Sequence, residues 1–353
     1  MNVLIINQNK SDNIGDKLLS EILCERLNNL GVQTKELGFA QTKEQNVTYE
    51  KASNTRHFLN SVKKKCPVFI KYLLNFGPKL REQQKKVKMT EYQAIVIGGG
   101  QLIKHKSVFL YCLIYWARIA KKYSVPFAFY GIGIDNNLTV AEKKLYKWVF
   151  SKAFFVNCRD TDSAEMVKSF LGAEAQVSPD IAFAYCPTQT TACNEKKKID
   201  YLVMPYSYAT AQSAFGLSLL KIQYYDGIFK EMNIKEETRI VLAATTSSDA
   251  GECIQFKEYL STKNVDAVIN ITSTVEELSN LFSDSEVIIT GRMHAMIIAM
   301  LCGCKIIPIR VSEKINTFEK EYLLSSKRTI SNIKENAIKG VETLFKSLQQ
   351  FQI

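Results

Sequence analysis

The stretch EVIITGRMHAMIIAMLCGCKIIPI, residues 286–309, decides how this chain is read. Glu286–Thr290 is a short run rich in β-branched residues, Ala295–Cys302 is continuously apolar, and Lys305–Ile309 is a second β-branched run. Strand, turn, buried helix and strand in that order predict two parallel strands joined by a helical crossover. The turn, Thr290-Gly291-Arg292-Met293-His294-Ala295, carries a permanent cation and one of the three histidines of the chain. The N–H groups that open the following helix point at the same place. A fixed charge, a proton carrier and a helix N-terminus together describe a site that handles an anion while moving a proton. The helix end and Arg292 both disfavour imidazolium at His294, whereas a bound dianion favours it, so the ring should carry its proton mainly when the anion is present. The plainer reading, a satisfied surface histidine, sits poorly with its apolar neighbours.

The same alternation extends outward. Upstream, strands are expected at Val3–Asn7, Val32–Leu37, Ala94–Gly98, Pro126–Ile134 and Phe154–Cys158, with helices at Lys17–Asn29, Val108–Tyr123, Val140–Lys152 and Thr161–Leu171. Ala94–Gly98 is wholly apolar, as in a strand covered on both faces. Residues 188–198 are polar and aperiodic and read as a linker. Beyond them come strands Tyr201–Pro205, Arg239–Ala244 and Ala267–Asn270, and helices Ser218–Met232, Ala250–Lys263 and Thr274–Ser283. Asn332–Leu348 closes the series as an amphipathic helix. The expected architecture is α/β, two Rossmann-like domains facing a cleft, over residues 1–187 and 199–353. The closing helix is grouped with the second domain.

Composition narrows the function classes. The 353 residues are 46% hydrophobic and 23% charged, ordinary for a globular protein. There is no basic-then-apolar secretion signal and no long unbroken apolar window, so a cytoplasmic protein without a spanning helix is expected. Nine scattered cysteines fit reduced thiols, and Cys302-Gly303-Cys304 has neither redox nor zinc spacing, so no metal is expected. The net charge of +11 is concentrated in residues 56–88, where ten Lys/Arg face one acid, Glu82. Aromatic and aliphatic residues interleave there. That suits an anionic membrane surface, and equally a solvated insertion with a locally packed apolar face. No nucleic-acid motif accompanies the charge, and nucleic acid is not an expected partner.

Ligands of parallel α/β sheets bind beyond the carboxyl ends of strands. Asn13-Ile14-Gly15-Asp16 lies there, and Asp16 reads either as the cap of the first helix or as a carboxylate that orients or deprotonates an acceptor hydroxyl. Gly98-Gly99-Gly100-Gln101 follows the third strand and offers backbone donors, or simply a tight turn. Gly131-Ile132-Gly133 is a weaker instance. Neither a dinucleotide fingerprint nor a P-loop is present. Arg159 opens a helix after its strand, either facing an anion or paired with Asp160, Asp162 or Asp180. Lys314 joins Arg292 and His294 from the last strand.

In this order, Asn13-x-Gly15-Asp16, Gly98-Gly99-Gly100, Gly131-Ile132-Gly133, Arg159-Asp160-x-x-Ser163, Pro179-Asp180, Gly291-Arg292-Met293-His294-Ala295 and Lys314 resemble the polysaccharide pyruvyltransferase family over roughly residues 1–320. The resemblance implies a fold similar to GT-B glycosyltransferases, phosphoenolpyruvate as donor substrate without a further cofactor, and a glycan as acceptor. It implies a cyclic pyruvate ketal as product, as in capsule or exopolysaccharide synthesis. On that reading His294 is the proton donor, Arg292, Arg159, Lys314, Gly99 and Gly100 bind the donor, and Asn13 and Asp16 meet the acceptor. The basic segment then suggests a lipid-linked acceptor at the inner face of the membrane. Two other readings stand beside it: a GT-B glycosyltransferase or epimerase using a nucleotide-sugar, and a non-catalytic glycan-binding protein.

Overall fold

The computed structural model describes residues 1–39, 67–187, 197–324 and 329–351. Most of the expected linker, and residues 56–66 of the basic segment, fall outside them. The first sheet is built from β1 (Asn2–Asn7), β2 (Gln33–Gly38), β3 (Ala94–Ile103), β4 (Phe127–Ile134), β5 (Ala153–Cys158) and β6 (Gln176–Val177). All its pairings are parallel, in the order β2-β1-β3-β4-β5-β6. Every residue of β4, and all but one of β3, is buried, as the apolar runs required. The second sheet holds β7 (Ile199–Met204), β8 (Ile240–Leu242), β9 (Val268–Ile269), β10 (Ser285–Thr290) and β11 (Lys305–Pro308), also all parallel, in the order β11-β10-β7-β8-β9. Strand order reverses at β1/β3 in one sheet and at β7/β10 in the other. The carboxyl ends of those strands are where such sheets open a crevice.

The helices are α1 (Ile14–Asn29), α2 (Gly77–Lys85), α3 (Phe109–Tyr123), α4 (Val140–Phe150), α5 (Thr161–Met166), α6 (Tyr208–Phe215), α7 (Lys221–Lys230), α8 (Ser247–Thr262), α9 (Val275–Ser283), α10 (Met293–Leu301), α11 (Glu313–Phe318) and α12 (Ile330–Gln349). The first of them is typical of the logic. Asn13 caps α1 by accepting from the Gly15 N–H at 3.1 Å, Leu18, Leu19, Ile22, Leu23 and Leu27 bury one side, and Gly31 at φ +82° turns the chain away. One apolar cluster runs from Val3, Ile5 and Leu19 through Ile181–Ala184 to Leu202 and Ile298, so the two sheets share a core. A separate cluster, with Leu4, Ile97, Trp116 and Phe129, fills the outer face of the first sheet.

Three features differ from the sequence expectation. β3 does not stop at Gly98 but continues to Ile103, with Gly99 and Gly100 at φ +82° and +79° inside it. Left-handed backbone within a strand needs glycine, which the sequence could equally mean as a turn. Short α6 and α11 occupy stretches without a readable periodicity. Finally, α12 packs on α1, β5 and residues 181–184 rather than on the second sheet. It lies so close that a Cβ on Gly340 would stand 2.5 Å from Ser178 Oγ.

Candidate active site

The carboxyl ends of both sheets face a cleft of about 570 Å³. The two sides touch at its floor. The Ile14 N–H donates to the Thr245 carbonyl at 3.1 Å, and the Ser247 N–H donates to Asp12 Oδ2 at 3.0 Å. Asn13, Gly15, Asp16, Gly100, Arg159, Arg292, His294 and Lys314 all line this cleft. Gly99 does not, and its missing side chain instead leaves room for Asn7, which a Cβ would meet at 2.7 Å.

His294 begins α10 and bridges the sides. Its Nδ1 edge lies on Gly15 of α1, where a Cβ would come within 2.2 Å. Among the described residues its Nε2 has no hydrogen-bond partner, and it stands 3.7 Å from Asp180 Oδ2, an ion-pair rather than a hydrogen-bond distance. Asp180 is buried, and its Oδ1 accepts the Ala182 N–H at 3.0 Å. Burial alone would raise its pKa, but His294, Arg159 and that N–H outweigh burial and hold the carboxyl below the ordinary range. No side chain caps α10, so its opening N–H groups remain at the cleft wall formed by Met293, His294 and Ala295.

The cations divide into two kinds. Arg292 is committed: Nε and Nη2 donate to Asp249 Oδ2 and Oδ1 at 2.7 and 2.8 Å, Nη2 also reaches Thr246 Oγ1 at 3.2 Å, and the guanidinium lies 4.0 Å from the centre of the Tyr206 ring. Asp249 Oδ1 also accepts the Ser207 N–H at 2.9 Å. Arg292 thus lines the cleft with its guanidinium paired to Asp249. It ties the β10–α10 turn to the β8–α8 turn and presents only its remaining edge. Arg159 is held more loosely, with Nη1 3.5 Å from Asp180 Oδ2 and Nε 3.7 Å from Asp160 Oδ2. Its guanidinium lies against Gly133, where a Cβ would come within 3.0 Å, which explains the second glycine pair. Lys314 and Lys104 have no ion pair or hydrogen bond at the ammonium among the described residues. Burial pushes the pKa of both down, and for Lys314, where the shift is large, Arg159 adds to it.

On the opposite wall, Asp16 sits in the first turn of α1 and accepts from Ser11 Oγ at 3.1 Å. The cap reading of Asp16 is therefore corrected, because Asn13 performs that task and its side-chain oxygen is occupied by it. Lys104, Asp135 and Gln101, the last donating to Asp135, complete this wall. Gln101 ends the glycine stretch quoted from the sequence, whereas Lys104, Asp135, Asp249 and Tyr206 carry no sequence expectation. Gln101 lies within β3, and the others come after β3, β4, β7 and β8, which was the only available signal. Among the described residues no group of three or more His, Cys, Asp and Glu is placed to hold a metal ion.

No protein of curated function matches the chain by sequence. Its structure is similar to the Methanocaldococcus jannaschii UDP-GlcNAc 2-epimerase solved with UDP-GlcNAc and UDP (TM-score 0.53, 13% identity, 98% of this chain and 99% of that one). It is also similar to the S. aureus MnaA–UDP structure (0.56, 9%, 99% and 96%) and the Neisseria meningitidis UDP-GlcNAc 2-epimerase bound to UDP-GlcNAc (0.51, 10%, 99% and 100%). At these identities the likeness speaks for the fold alone, a two-domain α/β architecture of the GT-B kind. The sequence itself is more specific, because the family model described as Polysaccharide pyruvyl transferase matches residues 13–313, from the cap of α1 to the start of α11. On that match the chain belongs to the polysaccharide pyruvyl transferase family.

Proposed function

We propose that the protein transfers the pyruvyl group of phosphoenolpyruvate to two hydroxyls of a glycan, closing a cyclic ketal and releasing phosphate. The observation that carries this reading is His294, a cleft histidine whose Nε2 has no hydrogen-bond partner among the described residues, set beside Asp180 and among Arg159, Lys314 and Lys104. Phosphoenolpyruvate carries a carboxylate and a phosphate, and these cations with the N–H groups of α10 offer it charge and directional donors. Protonation of its terminal methylene by His294 makes the neighbouring carbon an oxocarbenium-like electrophile. One glycan hydroxyl adds there, the C–O bond to phosphate breaks with its electron pair, and the second hydroxyl adds to the cation that forms. Of the two hydroxyl protons released, one restores His294 and the other leaves with phosphate. Asp180 stabilises the imidazolium, and Asp16, on the facing wall, orients the attacking hydroxyl and relays its proton to the leaving phosphate.

The acceptor in this proposal is a lipid-linked glycan of capsule or exopolysaccharide assembly, met at the inner face of the membrane. Among the described residues no helix is long and apolar enough to cross a membrane. The test is phosphate release from phosphoenolpyruvate in the presence of lipid-linked glycans, with mass analysis for an added pyruvate ketal. Phosphate release without that mass gain, or no release with any glycan, would sink the reading. Similar structures carry UDP or UDP-GlcNAc, so a nucleotide-sugar is the substrate class to test against. Thermal stabilisation by nucleotide-sugars but not by phosphoenolpyruvate would favour it.

A further inference from the structure

The helical stretch over residues 68–85 is packed on one side only. Val68–Lys71 is α-helical, Tyr72–Phe76 adds a π turn, and α2 continues from it. Leu80, Gln83 and Val87 are buried on the inner side, and the rings of Phe69 and Tyr72 each lie 5.4 Å from Tyr111 of α3. The outer side carries Ile70, Leu73 and Leu74, which are 41, 49 and 70% exposed, and Phe69 at its border is 49% exposed beside Tyr111. The extra residue of the π turn shifts the helical phase, and next along the helix come the exposed Arg81, whose Nε donates to the Gly77 carbonyl at 3.4 Å, and the exposed Lys85. From residue 67 to 88, six basic side chains accompany a single acid, Glu82.

We propose that this face docks on an anionic lipid bilayer. Its four apolar side chains suit the acyl boundary, and the basic side chains that follow suit acidic headgroups, a complementarity that few protein surfaces offer over one short helix. The position argues the same way. Phe109, two residues before Tyr111 on α3, lines the cleft, so the outer face and the cleft mouth lie at the same end of α3. Docking there would hold the cleft at the height of a lipid-borne sugar. In purpose the proposal rests on the lipid-linked acceptor described above, but the lipid contact itself can be measured without any transfer.

The test is flotation of the full-length protein with phosphatidylcholine vesicles, with and without phosphatidylglycerol. The protein is expected to float with the anionic vesicles and to be released by salt. Leu73→Ser combined with Leu74→Ser should lower the bound fraction about tenfold. Arg81→Gln with Lys85→Gln should weaken binding to anionic vesicles alone. None of the four positions lines the cleft, so both variants should transfer pyruvate to a short soluble glycan at the unaltered rate. Absence of flotation, or flotation indifferent to both variants, would overturn the proposal. So would a concentration-dependent dimer that the Leu73/Leu74 variant abolishes without any lipid binding. Lipid binding without phosphate release would sink the transferase reading and leave this one standing; transfer to soluble glycan without flotation would do the reverse.

Discussion

The two walls of the cleft each bring an arginine to the end of a parallel strand, yet they use it differently. On the C-terminal wall Arg292 is clamped by both oxygens of Asp249 and stacked on Tyr206. On the N-terminal wall Arg159 has no carboxylate closer than 3.5 Å, and Asp180, its nearest partner, is shared with His294. A bidentate pair at hydrogen-bond distance satisfies a guanidinium; a shared, stretched one leaves it able to exchange a carboxylate for a substrate anion. Topological position therefore does not assign a role to an arginine. The geometry of its counter-ion does.

His294 touches both walls of the cleft. His294→Ala is expected to lower turnover by about 10²–10⁴ with folding retained, measured as phosphate release beside thermal unfolding. An unchanged rate would remove the ring from proton transfer. The arginines should then separate. Arg292→Ala leaves Asp249 buried without its cation, and a loss of about 3–5 kcal/mol is expected in denaturant unfolding. Arg159→Ala should instead show itself mainly as weaker phosphoenolpyruvate binding, and equal effects of the two on stability would erase the distinction. Gly15→Ala pushes a methyl into the imidazole from the acceptor wall. Displacing a catalytic group by about 1 Å typically costs about 10²-fold, so turnover should fall that far while donor affinity holds.

The smallest effect concerns charge alone. Burial and Arg159 lower the pKa of Lys314, so its ammonium is lost at a pH below the usual lysine value of about 10.4. A bound dianion favours the protonated form, so binding should take up a proton. Donor affinity should be full at low pH and decline as pH rises through that lowered pKa. Lys314→Arg keeps its charge and should flatten the decline. Calorimetric titration in buffers of different ionisation enthalpy reads both effects, and an identical pH profile in the variant would exclude Lys314 from the anion site.

Much of this was legible in the sequence because buried parallel strands are written as contiguous apolar runs. Residues 286–309 gave the right succession of strand, turn, helix and strand, and most of the other sheet strands were found in the same way. The site was legible as a set of strand ends, which is why seven of the eight named candidates meet in one cleft. Pairing was not legible. Asp249 lies 43 residues before Arg292 and opens a different helix, and nothing local announces that it will take both nitrogens. The expected helix start at Lys17 made Asp16 its cap, whereas the helix opens at Ile14 and Asn13 caps it. In α12 the apolar stripe shows that one side is buried, but not against which sheet.

The return of α12 to the first sheet sets how this enzyme can be recombined. Val341, Leu344 and Leu348 lie in one apolar cluster with α1 and residues 181–184, although the strands of the second sheet stand between them in the chain. The two halves are therefore not interchangeable cassettes joined at one seam. A graft that replaced everything after residue 198 with a relative's sequence would install a foreign helix in the core beside the first sheet. A chimera meant to exchange the second sheet alone needs a second junction, between α11 and α12, so that the native closing helix goes back to the wall it belongs to.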